Sequence, residues 1–373
     1  MPESGSLKII QILPALESGG VERGTVEFAR ELVRRGHESI VISSGGSQVS
    51  RLEAEGSRHI RMPVHRKSLF SLAQVRPMRR LLTELKPDIV HVRSRAPAWI
   101  VWLAWRKMDP ATRPHLVSTF HGMYSVNAYS AIMAKSEHVI AISDCVQAYI
   151  TQNYSVPKSR ITRIYRGLDP ATFSRNTDTD ALLTTLPQLR GKKLLLMPGR
   201  LTRWKGQLDF IEVMHRLSQR RDDCHGIILG GAEANKESYR QELEQRCREL
   251  GLEQKITFTG HRSDIQAFYN LCDLTCHLST RAEPFGRTVP EALACGCPVI
   301  AYDRGGASES LRAAFPDGLV EAGNIEAFAE RADQLLGLPP GDIHLPGEFF
   351  LDTQVERTLD VYYRLLKQPV SGH

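Results

Sequence analysis

The stretch LTCHLSTRAEPFGRTVPEALACGCPVIAYD, residues 274–303, carries two short apolar runs, LTCHLS (274–279) and CPVIAYD (297–303), on either side of a turn and a helical pattern. Strand, turn, helix, strand is the repeating unit of a parallel sheet, because parallel neighbours need a crossover of about a dozen residues or more. Glu283 leaves the first strand, Pro284-Phe285-Gly286 makes the turn, and Glu291 falls about one turn into the helix, giving Glu-x7-Glu. A carboxylate has two acceptor oxygens that can bridge adjacent hydroxyls of a ribose, while free backbone N–H groups near Arg287, Thr288 and Val289 point toward a phosphate. Taken singly, Glu291 reads as dipole stabilisation at a helix start and Glu283 as a surface carboxylate; taken together they suit a nucleotide sugar.

The same alternation runs outward in both directions. Before this stretch lie KLLLMPG (193–199), HGIILGG (225–231) and KITFTG (255–260), enough with the two runs above for one doubly wound domain. The first half offers KIIQIL (8–13), SIVIS (39–43), IRMPV (60–64), DIVHV (88–92), HLVSTF (115–120), HVIAIS (138–143) and ITRIY (161–165), enough for a second. Between its first two strands VERGTVEFARELVRRG follows a helical stripe through Val26, Ala29 and Leu32, with Gly36 as a stop. The polar SRNTDTD (174–180) is the expected connection, and its Asp178-Thr179-Asp180 reads as linker, not as a metal-binding triplet. A last helix, 353–367, follows the break LPPGDIHLPG and is expected to return to the first domain. The expectation is therefore α/β, with two Rossmann-like doubly wound domains facing a central cleft. Residues 1–173 with a terminal helix at about 350–373 form one, and 174–349 the other.

At 373 residues, with 42% hydrophobic and 24% charged side chains, the chain has the composition of a globular protein and not of a disordered one. Its longest apolar run, APAWIVWLAW (96–105), is half the length of a membrane helix. The start, MPESGSLKIIQIL, lacks a secretory pattern, so a cytoplasmic location is expected. Seven cysteines, an odd number without metal-type spacing, read as reduced core residues; Cys272, Cys276 and His277 are the nearest approach to a zinc set. The net charge of +6 is divided unequally. Residues 1–175 carry 25 Lys and Arg against 14 Asp and Glu, a net of +11, whereas the remainder carries 23 against 28, a net of −5. Only the first half is therefore expected to meet an anionic partner. Its basic segments contain Arg58, Arg61, Arg66 and Lys67, then Arg76, Arg79 and Arg80; they read as a solvated loop and helix face or as an anionic membrane contact. They lack interleaved stacking aromatics, which argues against nucleic acid.

Two further segments carry chemistry. In MPGRLTRWKGQLDFIEV (197–213) a strand ends at Pro198-Gly199, and Arg200 and Lys205 follow just before an amphipathic helix. Two cations at a helix start oppose its dipole unless an anion joins them, so the segment suits a diphosphate. After the first strand Gly19-Gly20 leads into a helix, either as a plain turn or as a loop letting backbone N–H groups approach a phosphate. Neither G-x-G-x-x-G nor a P-loop is present.

Together these segments resemble the retaining glycosyltransferases of the GT-B fold, family 4, the Glu-x7-Glu enzymes. The resemblance spans essentially the whole chain: Gly19-Gly20, HVRSR (91–95), TFHG (119–122), AISD (141–144), YRGLD (165–169), GRLTRWKG (199–206), Glu283 to Glu291 and DRGGASE (303–309). It implies that Arg200 and Lys205 bind the donor diphosphate and Glu291 the ribose. It also implies that Glu283 holds the transferred sugar in a pocket shaped by Phe285 and Gly286, and that the loop at His261 and Arg262 binds the base through its backbone. His121 matches the histidine beside the reacting carbon. The implied reaction needs no metal or other cofactor, the nucleotide sugar, with UDP favoured, being the donor substrate. The first domain would hold the acceptor, a lipid-linked or lipopolysaccharide-core glycan. The family's bacterial surface-glycan enzymes work on the inner membrane face. Arg93, Arg166 and Arg287 depart from the family pattern, each adding positive charge. Trp99, Trp102 and Trp105, on one helical face, read as a core stripe, with a membrane or acceptor contact as the alternative. Other readings are a non-catalytic nucleotide-sugar-binding module and a sugar-nucleotide epimerase of the same fold; the intact set of Arg200, Lys205, Glu283 and Glu291 favours transfer.

Overall fold

The computed structural model describes residues 5–17, 19–65, 69–175, 178–231, 237–339 and 341–368. The chain forms two compact units, residues 1–167 with 350–373 and residues 168–349. The polar stretch at 174–180 lies a few residues inside the second unit. There the Asp180 N–H donates to the Asp178 carboxylate over 2.9 Å, an Asx turn that starts a short helix, Asp180–Thr185.

The first unit is built on seven parallel strands: β1 (Lys8–Ile12), β2 (Glu38–Ser43), β3 (Arg58–Arg61), β4 (Ile89–Val92), β5 (His115–Phe120), β6 (His138–Ala141) and β7 (Ile161–Arg163). Their order is β3-β2-β1-β4-β5-β6-β7. The central strands are buried along their whole length, as expected for a sheet covered by helices on both faces. The order reverses direction between β1 and β4, which opens a crevice at their carboxyl ends. Strand β3 begins earlier than the apolar run IRMPV suggests and stops before Pro63, which has no N–H to give the ladder. The helix Leu351–Leu366 belongs to this unit. Its Leu351, Val355, Leu359, Tyr362 and Leu365 pack with Phe28, Leu32, Ile89 and Val117 in one core. Each such side chain removed from water is worth about 1.5–3 kcal/mol, so this helix is integral to the unit.

The second unit holds six parallel strands: β8 (Lys193–Pro198), β9 (Cys224–Leu229), β10 (Ile256–Gly260), β11 (Leu274–His277), β12 (Val299–Tyr302) and β13 (Leu319–Val320). Their order is β10-β9-β8-β11-β12-β13, with the reversal between β8 and β11. Strand β13, two residues long, has no counterpart in the sequence pattern. All seven cysteines are free thiols, six of them buried. Among the described residues no three His, Cys, Asp or Glu side chains are grouped to hold a metal ion. No helix of the described residues is long and apolar enough to cross a membrane.

The tryptophan stripe divides. Trp105 is fully buried, its indole N–H donating to the Pro114 carbonyl over 2.7 Å and Arg113 lying 3.6 Å over its ring. Trp99 and Trp102 are only half-buried, because the helix Arg95–Trp105 turns that part of the face outward; Arg106 and Lys135 lie over the Trp102 ring. Arg58, Arg61, Arg76, Arg79 and Arg80 are exposed, and Arg80 pairs with Glu84 at 2.6 Å; Arg66 and Lys67 lie outside the described residues.

Candidate functional site

In the second unit Arg200, Lys205, Glu283 and Glu291 follow the two strands at the switch point of the sheet, where the crevice opens, whereas His261 and Arg262 follow the edge strand β10. Arg200 follows β8 and is exposed, while a single turn of 3-10 helix, Arg203–Lys205, carries Lys205. Gly206, at φ +85°, ends that turn and begins the helix Gln207–Ser218. A Cβ there would stand 2.0 Å from the Leu278 carbonyl oxygen, so only glycine lets the turn pack against the chain leaving β11. The packing brings Lys205 to the residues after β11. Its ammonium lies 2.6 Å from Glu283 Oε1.

Glu283 is buried, and its Oε1 accepts three hydrogen bonds: from Lys205, from His277 Nε2 at 2.9 Å, and from the Ser279 hydroxyl. Burial alone would raise the pKa of this carboxyl. The charge and hydrogen bonds of His277 and Lys205 outweigh it and hold Glu283 well below the usual carboxylate range. Gly286, at φ +71°, turns the chain so tightly that a Cβ would fall 2.5 Å from that of Ala307. Phe285 is buried beside it. The helix Thr288–Ala294 then presents Glu291, also buried. Glu291 accepts from Tyr269 Oη at 3.3 Å through Oε2 and pairs with Arg287 Nε at 3.2 Å through Oε1. Burial, then the neighbouring Glu291, pushes the Tyr269 phenol well above its ordinary value, so it remains a donor.

One expectation is corrected. The Val289 N–H is not free for a phosphate: it donates to the Gly286 carbonyl over 3.0 Å, closing the turn that Gly286 begins. Cys272 and Cys276 are buried free thiols whose pKa values burial raises, in line with their reading as core residues, and His277 turns to Glu283. Arg262, beyond β10, is held in a two-pronged pair by Asp264 at 2.6 and 2.9 Å, which leaves exposed His261 as the open side chain of that loop. Three partners of the glutamates, His277, Ser279 and Tyr269, escape sequence reasoning. The one signal for His277 is a titratable residue at the end of an otherwise apolar strand.

In the first unit Gly19 caps the helix Gly20–Arg34, and the Arg166 guanidinium donates to the Gly20 carbonyl. His121 follows β5. Both its ring nitrogens are buried without a hydrogen-bond partner among the described residues. Burial, then Arg93, Arg166 and His91, hold its pKa well below 6.5, so the ring is neutral. His91, in β4, lies 2.6 Å from both Tyr362 Oη and Thr119 Oγ1. Arg93 is 4% exposed; it donates to Gln11 and lies 5.7 Å over the Phe28 ring. Its pKa is lowered by burial to about 10, and its Nε has no hydrogen-bond partner among the described residues.

The chain matches two family models, one described as Glycosyltransferase Family 4 over residues 18–172 and the other as Glycosyl transferases group 1 over residues 185–342. A solved glycosyltransferase from Rickettsia africae is 31% identical, with a TM-score of 0.87 over 98% of this chain and 100% of its own. HepE of Anabaena, solved with UDP-glucose, shares the fold at 22% identity, with a TM-score of 0.75 over 96% of this chain and 100% of its own. The lipopolysaccharide core biosynthesis mannosyltransferase LpsB of Rhizobium meliloti is 30% identical over 54% of this chain and 56% of its own. Two parallel-sheet units, matched along their length by structures of this architecture, make the fold GT-B, and the chain belongs to the glycosyltransferases.

Proposed function

We propose that the protein moves a sugar, with retention at the anomeric carbon, from a nucleotide-diphosphate sugar to a lipid-linked or lipopolysaccharide-core glycan. The observation that carries this reading is the buried contact of Lys205 with Glu283 at the switch point of the second sheet. Breaking the anomeric C–O bond leaves an oxocarbenium-like sugar and places negative charge on the departing diphosphate. Lys205 and Arg200 meet that charge, and no metal takes part. Glu291 takes the ribose hydroxyls. Glu283, ionised over the working pH range, is a poor proton donor and a weak base, which suits it to accept hydrogen bonds from the transferred sugar. The leaving phosphate then takes the proton of the attacking acceptor hydroxyl on the same face. His121, neutral, serves the same reaction from the first unit. Donor preference for UDP is supported by HepE, solved with UDP-glucose, and the acceptor class by LpsB, a lipopolysaccharide core mannosyltransferase. The enzyme would work in the cytoplasm, peripheral to the inner membrane face, with Arg58, Arg61, Arg76, Arg79 and Arg80 toward anionic lipid.

A thermal-shift panel with UDP, GDP and ADP tests the donor reading. UDP at about 100 times its Kd stabilises the native state by about 2.7 kcal/mol, a rise of several degrees in melting point. A larger rise with GDP or ADP replaces the base; no rise with any of the three overturns the reading.

A further inference from the structure

The carboxyl edge of the first sheet gathers two arginines and two imidazoles, and among the described residues Arg93 Nε and the His121 ring have no hydrogen-bond partner. Arg93, on the chain leaving β4, is 4% exposed, and no carboxylate among the described residues pairs with it. Its buried Nε is an N–H donor without an acceptor among the described residues. Both ring nitrogens of His121 are likewise buried and unpartnered. Arg93, Arg166 and His91 are the charged and titratable groups that act on His121, and all three push it toward neutrality; no acid among the described residues opposes them. Arg166 reaches the Gly20 carbonyl, and a Cβ on Gly24 would lie 3.2 Å from its Nη2, so this guanidinium lies along the first turns of the 15-residue helix that starts at Gly20.

A buried guanidinium with an unused N–H is costly unless something anionic completes it. We propose that Arg93, His121 and Arg166 form a subsite for a phosphate group carried by the acceptor. The inference rests on the transfer reading above and names the chemistry of its acceptor side. Donors after β4, after β5 and beside the helix start belong to three separate segments. A tetrahedral phosphate offers three terminal oxygens to such a set, whereas a carboxylate offers two in one plane. The basic balance of residues 1–175 favours the encounter of such an acceptor.

Titration calorimetry with inorganic phosphate, on protein saturated with UDP so that the diphosphate site is filled, tests the inference. Saturable binding is expected, weakened on the order of tenfold or more by Arg93→Gln and by Arg166→Gln, with UDP affinity unchanged. Arg166 is half-buried, so its variant answers the objection that Arg93→Gln misfolds, and circular dichroism checks both. Mannose 6-phosphate and vesicles of phosphatidic acid in phosphatidylcholine distinguish a soluble from a lipid source of the phosphate. Variant-sensitive binding of the first supports a sugar phosphate, and of the second a phospholipid. Phosphate binding that is absent, or untouched by both variants, overturns the inference even where UDP binds. Should UDP fail to bind, the donor reading falls, and the titration without UDP on the same variants, in a Lys205→Ala background, decides the phosphate subsite.

Discussion

Two switch points in one molecule handle charge in opposite ways. Beyond β8 and β11 two cations at the crevice have an acid at hand: Lys205 meets Glu283, and Arg287 meets Glu291. Beyond β4 and β5, among the described residues, the Arg93 side chain meets an amide and an aromatic face, and the His121 ring meets neither donor nor acceptor. The first arrangement is self-sufficient without ligand and must exchange an internal partner for a substrate group. The second is incomplete until an anion arrives. Sites of equal positive charge can thus differ in what binding costs them: rearrangement in one, nothing beyond ordering the ligand in the other.

The contrast can be broken most forcefully by Glu283→Ala. It strands Lys205 and His277 around an emptied pocket, and losing one member of a buried pair costs about 3–5 kcal/mol; the lower end applies because Lys205 keeps 15% exposure. Urea denaturation of the second unit measures this, and a loss under about 1 kcal/mol would show the pair to be no more than a surface contact. Next in size, Lys205→Ala lowers the rate of UDP release from a UDP-sugar by at least about 100-fold, the scale of a lost contact to the transition state. Near-normal turnover would remove Lys205 from the chemistry.

Acid should separate the two units more gently. In the first, His37, His59, His91, His121 and His138 all have lowered pKa values, mainly through burial, with His138 at about 4; in the second His225 does. A histidine depressed in the folded state leaves the unfolded chain binding protons first, so stability is intact above about pH 6.5 and falls below it. Glu283, depressed from 4.5, gives stability that is lost only below the ordinary carboxylate range. Between pH 6.5 and 4.5 the protection of amides against hydrogen exchange, taken relative to their intrinsic rates at each pH, should therefore fall in β4–β6 while it holds in β8 and β11. Equal loss in both would erase the distinction. The smallest effect is expected of Arg93→Gln. Removing a buried charge that burial already disfavours should leave the melting point unchanged or slightly raised, against the large fall for Glu283→Ala. A drop of more than a few degrees would mean that Arg93 has a structural partner.

Most of the fold was readable because parallel strands covered on both faces must be apolar throughout, so runs such as HLVSTF and KLLLMP announce themselves. Strand β13 was not readable: two residues, Leu319 and Val320, carry no period. The Glu-x7-Glu spacing located both glutamates, since the turn at Pro284-Phe285-Gly286 and the first turn of the next helix fix that distance locally. Their partners could not be located in the same way. Tyr269 reaches Glu291 from a helix 22 residues earlier, and His277 is indistinguishable in sequence from a core histidine. Arg93 was legible as a basic residue near a strand end, but its burial is made by Gln11 and Phe28, whose proximity only the folded sheet creates.

The helix Leu351–Leu366, joined to a core begun at Leu7, also sets a timetable. On the ribosome the second unit has all of its strands before the first has its closing layer. A nascent chain halted near residue 345 would carry a finished sheet of six strands beside one whose apolar face around Phe28 and Ile89 still lies open. Synthesis order and folding order are therefore reversed for these two halves, and it is the amino-terminal one that would wait under chaperone protection.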